Sequence, residues 1–365
     1  MGWTASGSIV RLGTEISQPH RGRGSKMARQ LQKSTLYILK MEDPSGGKVP
    51  PFYKIGITKH TVGKRIRQLQ TGNPFRIVPF VTYDIEGAEL VERHLHRTFS
   101  ENRRILEWFS LSEDELSEVL SETDRFRSEI EELVVEVRML DQAESDDNLI
   151  DPTEEAREIH RELIELHASK TKNDLRMKEA KSRILALTLN SKGIDGISQV
   201  SVVKPKPSFK KALLKMSQKE LYDRYLTLPE LNQKLRIIGK KTPSDFSDYY
   251  DAAKKAKDLI PVVHPLEVTD QHIQRTPEVV QLHSEYISLA AEGGTIEGDI
   301  LLASMRLKVI CGTSGGIKDV CEYTRQERLV FDVDKFKVDN PDVYSQFTTT
   351  GAMSVRANVK RSRDY

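Results

Sequence analysis

The sequence predicts an α+β fold: a small three-stranded antiparallel sheet flanked by helices, then a helical connector, then two duplicated modules of helix plus β-hairpin. Three observations predict it. Between residues 35 and 112, short β-branched and aromatic runs alternate with segments of helical period. From Leu116 to Leu140 apolar residues recur at alternating spacings of 3 and 4, the mark of a helical seam. In the C-terminal half, sequence features return at an offset of 123 residues (160 to 283).

Taken in order, Leu36-Tyr37-Ile38-Leu39 is a β run and Phe52 to Thr58 is another. The Gly/Pro-rich stretch from Pro44 to Pro51 joins them as a long hairpin. Gly63 to Gln70 is helical, stopped by Gly72 with Pro74 just beyond. Ile77 to Tyr83 supplies the third strand. Ala88 to Phe99 is a helix with Leu90, Val91, Leu95 and Phe99 on its apolar side, and Trp108 and Phe109 cap the core.

Ser112-x-x-Glu115 is a capping box that opens the connector. Its seam runs Leu116, Val119, Thr123, Phe126, Ile130, Leu133, Val137, Leu140. Two partners fit it: a second copy, giving a homodimer through 116–140, or the chain's own helices after Asp151. Intramolecular packing is the preferred expectation, with a break at Gln142 to Asn148.

In the duplicated half, Ile159-His160-Arg161-Glu162 parallels Leu282-His283-Ser284-Glu285, Arg183-Ile184-Leu185 parallels Arg306-Leu307-Lys308, and Gly193-Ile194 parallels Gly316-Ile317. With one deletion, Phe209 meets Phe331 and Tyr222-Asp223-Arg224-Tyr225 meets Tyr344-Ser345-Gln346-Phe347. The domain map is then a basic disordered arm at 1–34, a first domain at 35–112, an acidic connector at 113–150, modules at 151–244 and 274–365, and a linker at 245–273. Met27 is an alternative start.

A chain of 365 residues implies two or three domains. With 38% hydrophobic and 30% charged residues and no apolar run of membrane-spanning length, a membrane partner is not expected. Cys311 and Cys321 have neither metal-ligand nor disulfide-framework company, which points to a reducing, cytoplasmic setting, or a nuclear one in a eukaryote.

Charge changes sign along the chain. Residues 27–110 hold 14 Lys/Arg against 8 Asp/Glu, residues 111–165 hold 5 against 20, and residues 200–244 hold 11 against 3. Two basic blocks around an acidic one suggest polyanion-facing surfaces joined by a segment that avoids polyanions. Lys204, Lys206, Lys210, Lys211 and Lys215 suit phosphate contacts, whereas Phe209, Tyr222 and Tyr225 are expected mainly in a core. A protein partner for the modules is the alternative to DNA.

Within 35–112 the polar residues form one ordered set: Tyr37, then Tyr53-Lys54-Ile55-Gly56-Ile57-Thr58, then Arg65 with Gln68 and Gln70, Gly72-Asn73-Pro74, Glu92, His96 and Glu107-Trp108-Phe109. Side chains alternate across a strand, so Tyr37 shares a face with one of Tyr53 and Lys54. Glu92 and His96 are spaced i,i+4 and lie on one helix face. A carboxylate can hold a divalent cation against a phosphate, an arginine matches phosphoryl charge, and a positioned Tyr, Lys or His can deprotonate water.

This series resembles the GIY-YIG endonuclease domain, in particular its phage-type branch with a GIT turn and a closing EWF. The resemblance implies a metal-dependent endonuclease that hydrolyses DNA phosphodiesters with Mg²⁺ or Mn²⁺. It implies Glu92 as the metal ligand, Arg65 as the phosphate clamp, Tyr37 as the tyrosine of the first motif, and His96 as the histidine of an E-x-x-x-H pattern. Tyr53, Lys64, Arg67, Gln70 and Asn73 are the expected DNA contacts. The first motif, Thr35-Leu36-Tyr37, lacks its glycine, and Lys54 stands where the second motif has tyrosine. The general base is therefore open among Tyr37, Lys54 and His96.

The second module, with Gly312-Thr313-Ser314-Gly315-Gly316-Ile317, Tyr323-Thr324-Arg325-Gln326, Phe331-Asp332 and Asn340-Pro341-Asp342-Val343-Tyr344, resembles the tail of YqaJ-type phage exonucleases. Their nuclease core is missing here, so the resemblance implies a phage setting and no second activity.

Overall fold

A computed structural model describes residues 31, 33–47, 49, 51–105, 107–188, 191–261 and 267–361. The expected disordered arm lies outside the described residues up to position 30.

The first strands are β1 (Lys33–Glu42), β2 (Phe52–Thr58) and β3 (Arg76–Glu86), with helix α1 (Val62–Gln70) between the last two. Helix α2 (Ala88–Thr98) follows, then β4 (Arg103–Ile105) and β5 (Trp108–Ser110). The sheet is antiparallel in the order β3-β1-β2-β5-β4, so it has five strands and not three. Trp108 and Phe109, expected as core caps, pair with Lys54 and Tyr53 as a strand. Three-residue strands are too short to show alternation in a sequence.

Alternation divides the sheet into two faces. Leu36, Ile38, Ile55 and Phe109 face the main core with Val91 and Leu95 of α2. Tyr37, Leu39 and Ile77 face the other way, against Val62, Ile66 and Leu69 of α1 and against Trp108.

Helix α3 (Glu113–Gln142) starts with the expected capping box between Ser112 and Glu115. Gly87 precedes α2 at φ 78°, and a Cβ there would lie 3.0 Å from Cγ2 of Ile130 on α3. Glycine therefore permits both the turn and the close approach. The buried residues of α3 are Leu116, Val119, Thr123, Phe126, Ile130, Val134 and Val137, with Val134 buried where the heptad reading placed Leu133. They share one core with α2 and with Leu301 and Met305 of α8 (Pro277–Cys311). The seam is thus filled from within the chain, the preferred of the two expectations. A heptad specifies an apolar partner but not whose it is.

Polar contacts fix the same arrangement. Asp141 near the end of α3 accepts from Lys308 Nζ at 2.6 Å and from the Tyr323 hydroxyl, and its carbonyl accepts from Gln233 Nε2 at 2.5 Å. Arg306 pairs with Glu129 at 2.5 Å and Arg97 with Asp299 at 3.0 Å.

The C-terminal half is built on two 35-residue helices, α4 (Glu154–Thr188) and α8, packed along each other. A Gly-Ile bridge follows each: β7 (Gly193–Ile194) and β12 (Gly316–Ile317), then β8 (Ser198–Val203) and β13 (Cys321–Phe331). Each bridge pairs in parallel with the short strand that enters the opposite half. β6 (Leu149–Ile150) joins β12, and β11 (His272–Ile273) joins β7. The later strands also cross over: β10 (Leu226–Ile237) pairs with β13, and β15 (Ser354–Val359) pairs with β8.

The contacts correspond residue by residue. His160 Nε2 meets the Ile238 carbonyl at 2.8 Å, and His283 Nε2 meets that of Lys360 at 2.8 Å. Thr188 and Ser198 touch through their hydroxyls at 3.3 Å, where Cys311 and Cys321 touch through sulfur at 3.5 Å. Gly193 and Gly316 have φ 136° and 143°, and a Cβ on either would lie 2.2 Å from a backbone oxygen.

The linker expected at 245–273 instead contains helix α7 (Ser247–Asp258), placed after α5 (Lys211–Ser217) and α6 (Lys219–Asp223). It packs on α4 through Phe246 and Ala253 against Ala168 and Leu175. Its inward residues are largely alanine, which gives a weak apolar period. Helices α5, α6, α9 (Val333–Asp339) and α10 (Pro341–Gln346) enclose an aromatic cluster that includes Phe209, Tyr222, Tyr225, Phe331, Phe336, Tyr344 and Phe347. No helix of the described residues is long and apolar enough to cross a membrane.

Candidate active site

The β1–β2 register sets Tyr37 opposite Gly56 and Leu39 opposite Lys54, so Tyr37, Lys54 and Gly56 share a face. A Cβ at Gly56 would lie 2.7 Å from the Tyr37 hydroxyl oxygen, so only glycine leaves room for that ring. Tyr37 is 1% exposed. Arg65, on α1, donates Nε–H to the Tyr37 oxygen at 3.2 Å and Nη1–H to Gln68 at 3.4 Å. Burial pushes the Tyr37 hydroxyl above its ordinary pKa, opposed by Arg65. The bond to Tyr37 in turn raises Arg65.

Lys54 is 4% exposed and donates Nζ–H to Glu107 in the β4–β5 turn. Glu92, one helical turn before His96 on α2, is half-buried nearby. Burial first, and then the charge of Glu107, push its carboxyl up to about 7, against the opposing pull of Arg93 and Lys54. His96 donates Nε2–H to the Ile55 carbonyl at 3.0 Å, and its ring lies 5.2 Å from that of Phe109. That bond fixes the tautomer with Nδ1 as acceptor. Burial lowers the His96 pKa, so the ring is neutral near pH 7.

Tyr37, Lys54, Arg65 and Glu92 therefore come together electrostatically around Glu107, with His96 beside them against β2. Three expected DNA contacts are placed otherwise. Tyr53 is on the opposite face, packed against the main core and edge-on to Phe80 at 5.8 Å. Strand parity sends neighbouring residues to opposite faces, and Lys54 took the site side. Gln70 donates to the carbonyls of Asn73 and Phe75 at 3.2 and 2.8 Å and accepts from Ile77 N at 2.9 Å. Asn73 accepts from Phe75 N at 3.0 Å. These two amides hold the turn between α1 and β3. Lys64 and Arg67 are exposed on the helix that carries Arg65.

Glu107 stands in the ordered polar set of the sequence, but only the structure gives it a part, as the partner of Lys54. Its signal was a carboxylate directly before the two aromatic residues of the closing motif, both of which were given packing roles.

Among the described residues no group of three or more His, Cys, Asp or Glu side chains converges on a metal position. Mg²⁺ does not require one, since it commonly takes one or two carboxylates and keeps several waters. Glu92 and Glu107 offer hard oxygen donors, and burial first, then the Glu107 charge, raises the Glu92 carboxyl. The residues fit Mg²⁺ or Mn²⁺.

Residues 34–124 match the family described as the T5orf172 domain, a phage-associated domain found in nucleases of the GIY-YIG and HNH-like kinds. The match does not reach the C-terminal half. No curated protein and no solved structure matches the chain.

Proposed function

We propose that the N-terminal domain is a GIY-YIG-type, metal-dependent DNA endonuclease, phage-associated, and that the C-terminal half targets it to DNA or to a protein partner. The observation that carries this reading is the grouping of Glu92 and Glu107 with the Tyr37–Arg65 pair and Lys54 inside the segment that matches a nuclease-associated family.

Arg65 binds the scissile phosphate, because its guanidinium has no carboxylate partner among the described residues and is fixed through Nε. Tyr37 stays protonated, so it orients Arg65 and a water or phosphate oxygen and does not take a proton. Lys54 is engaged with Glu107, which assigns it an electrostatic and positioning part beside the phosphate. His96 is neutral at working pH, and of the three candidates it is the one suited to accept the proton of the attacking water. Glu92, with Glu107 near it, would hold a Mg²⁺ or Mn²⁺ ion whose chemistry is to polarise the phosphate and stabilise the departing oxygen.

Cleavage of a mixed panel of duplex, branched and single-stranded DNA by wild type and Arg65→Ala tests the reading. Arg65→Ala is expected to lose about 100-fold or more in rate. Metal-dependent cutting that is equal in both proteins would remove Arg65 from the site. DNA binding without any cutting would favour a non-enzymatic DNA-binding protein, the reading motivated by lysine in the place of the second-motif tyrosine.

A further inference from the structure

The reciprocal pairing of the C-terminal half sets corresponding residues in corresponding places, so a difference between them is not imposed by the fold. The pairs diverge in charge around the aromatic cluster, at the Leu226–Phe331 end of the β10–β13 ladder. Here residues 208–225 correspond to 330–347 at an offset of 122. The first stretch holds 5 Lys/Arg against 2 Asp/Glu, and the second holds 2 against 4.

One position shows the difference in a single contact. Asp332 caps α9 by accepting from Lys335 N at 2.9 Å. Its counterpart Lys210 precedes α5 and makes no side-chain cap. A lysine there abandons the cap and opposes the helix dipole. Local stability does not explain it.

Lys210 is joined by Lys204, Lys206, Lys211 and Lys215, all exposed. None of the five has a carboxylate within ion-pair distance among the described residues, whereas Lys219 pairs with Asp223 at 2.6 Å. Lys215 lies 5.7 Å from the Tyr222 ring centroid, and the ring itself is stacked on Phe331 at 4.5 Å. The aromatic rings are thus committed to packing, and the surface offers charge without base-stacking groups.

We propose that the exposed lysines Lys204, Lys206, Lys210, Lys211 and Lys215 bind the phosphate backbone of DNA without reading its sequence, and that the corresponding stretch through α9 and α10 does not. The inference rests on the nuclease reading for its choice of polyanion. Lysines act as hydrated point charges toward phosphates, which suits a contact that holds substrate anywhere along its length.

The test is binding of the full chain to a labelled DNA duplex in EDTA, where cutting plays no part. K210E/K211E/K215E and the milder K210Q/K211Q/K215Q are compared with K335E/K337E, with thermal melting as the check on folding. The first variant should bind about 10-fold or more weakly, and its slope of log affinity against log salt should be shallower by about 2–3. The glutamine variant should fall between it and wild type, and K335E/K337E should stay within about 2-fold of wild type. Unchanged DNA binding by both 210–215 variants would overturn the proposal and point to an acidic protein on this face. Equal weakening by K335E/K337E would also overturn it, as a general charge effect. Neither result touches the nuclease reading, which is judged by metal-dependent cleavage at saturating DNA.

Discussion

Glu92 has a carboxyl near 7, and the sign of its pH dependence follows from that. A carboxyl raised in the folded state favours the protonated form. Its stabilising effect is complete below the unfolded value near 4.5 and is lost as pH rises through about 7. Without metal, the melting temperature of the wild type should therefore fall more between pH 5 and 8 than that of Glu92→Gln. Mg²⁺ should restore it, because the cation favours the ionised form. Calorimetry checks both, and identical pH profiles for the two proteins would show that Glu92 is not the perturbed group. At this scale Tyr37, Arg65 and Glu92 were legible because their order and spacing are constrained jointly. The role of Glu107 was not, since a turn carboxylate has no periodicity to mark it. The face taken by Tyr53 was not either, because adjacent residues compete for one side of a strand and only the register decides.

Each of the three longer strands and the two helices of the first domain overlaps a segment that the apolar pattern marked, and the pattern of the connector marked nearly every inward residue of α3. The partner of that face was invisible, because spacing reports a seam and not what lies across it. Ile130 of α3 is fully buried, with its Cγ2 close against the Gly87 turn before α2. Ile130→Ala should cost about 3 kcal/mol in urea unfolding, through lost burial and the cavity left behind. Sedimentation velocity should meanwhile show the same concentration dependence for variant and wild type, since the seam is intramolecular. A variant that shifts the protein from dimer to monomer would restore the homodimer reading.

The whole molecule joins the N-terminal domain to the C-terminal half through a common core. Leu301 and Met305 of α8 lie in one core with Phe126 and Val134 of α3, and Arg97 and Glu129 reach Asp299 and Arg306. The acidic block is therefore partly a docking surface, with Asp141 accepting from Lys308 and Tyr323. The sign change in charge was legible in sequence, but the cationic side of this interface was scattered over a distant helix. A chain ending at residue 150 should lose cooperative unfolding, or melt well below the full chain, because it exposes the α3 face that α8 covers; an unchanged melt by circular dichroism would show that the shared core contributes little. On the proposed function, Glu92 anchors metal-dependent phosphodiester hydrolysis. The most direct measurement is Mg²⁺-dependent cleavage of the DNA panel by wild type beside Glu92→Ala, each melted first to confirm folding. Cutting by wild type with a loss of about 100-fold or more in the variant is the predicted result, and equal cutting by both proteins, or none by wild type with either Mg²⁺ or Mn²⁺, would contradict it.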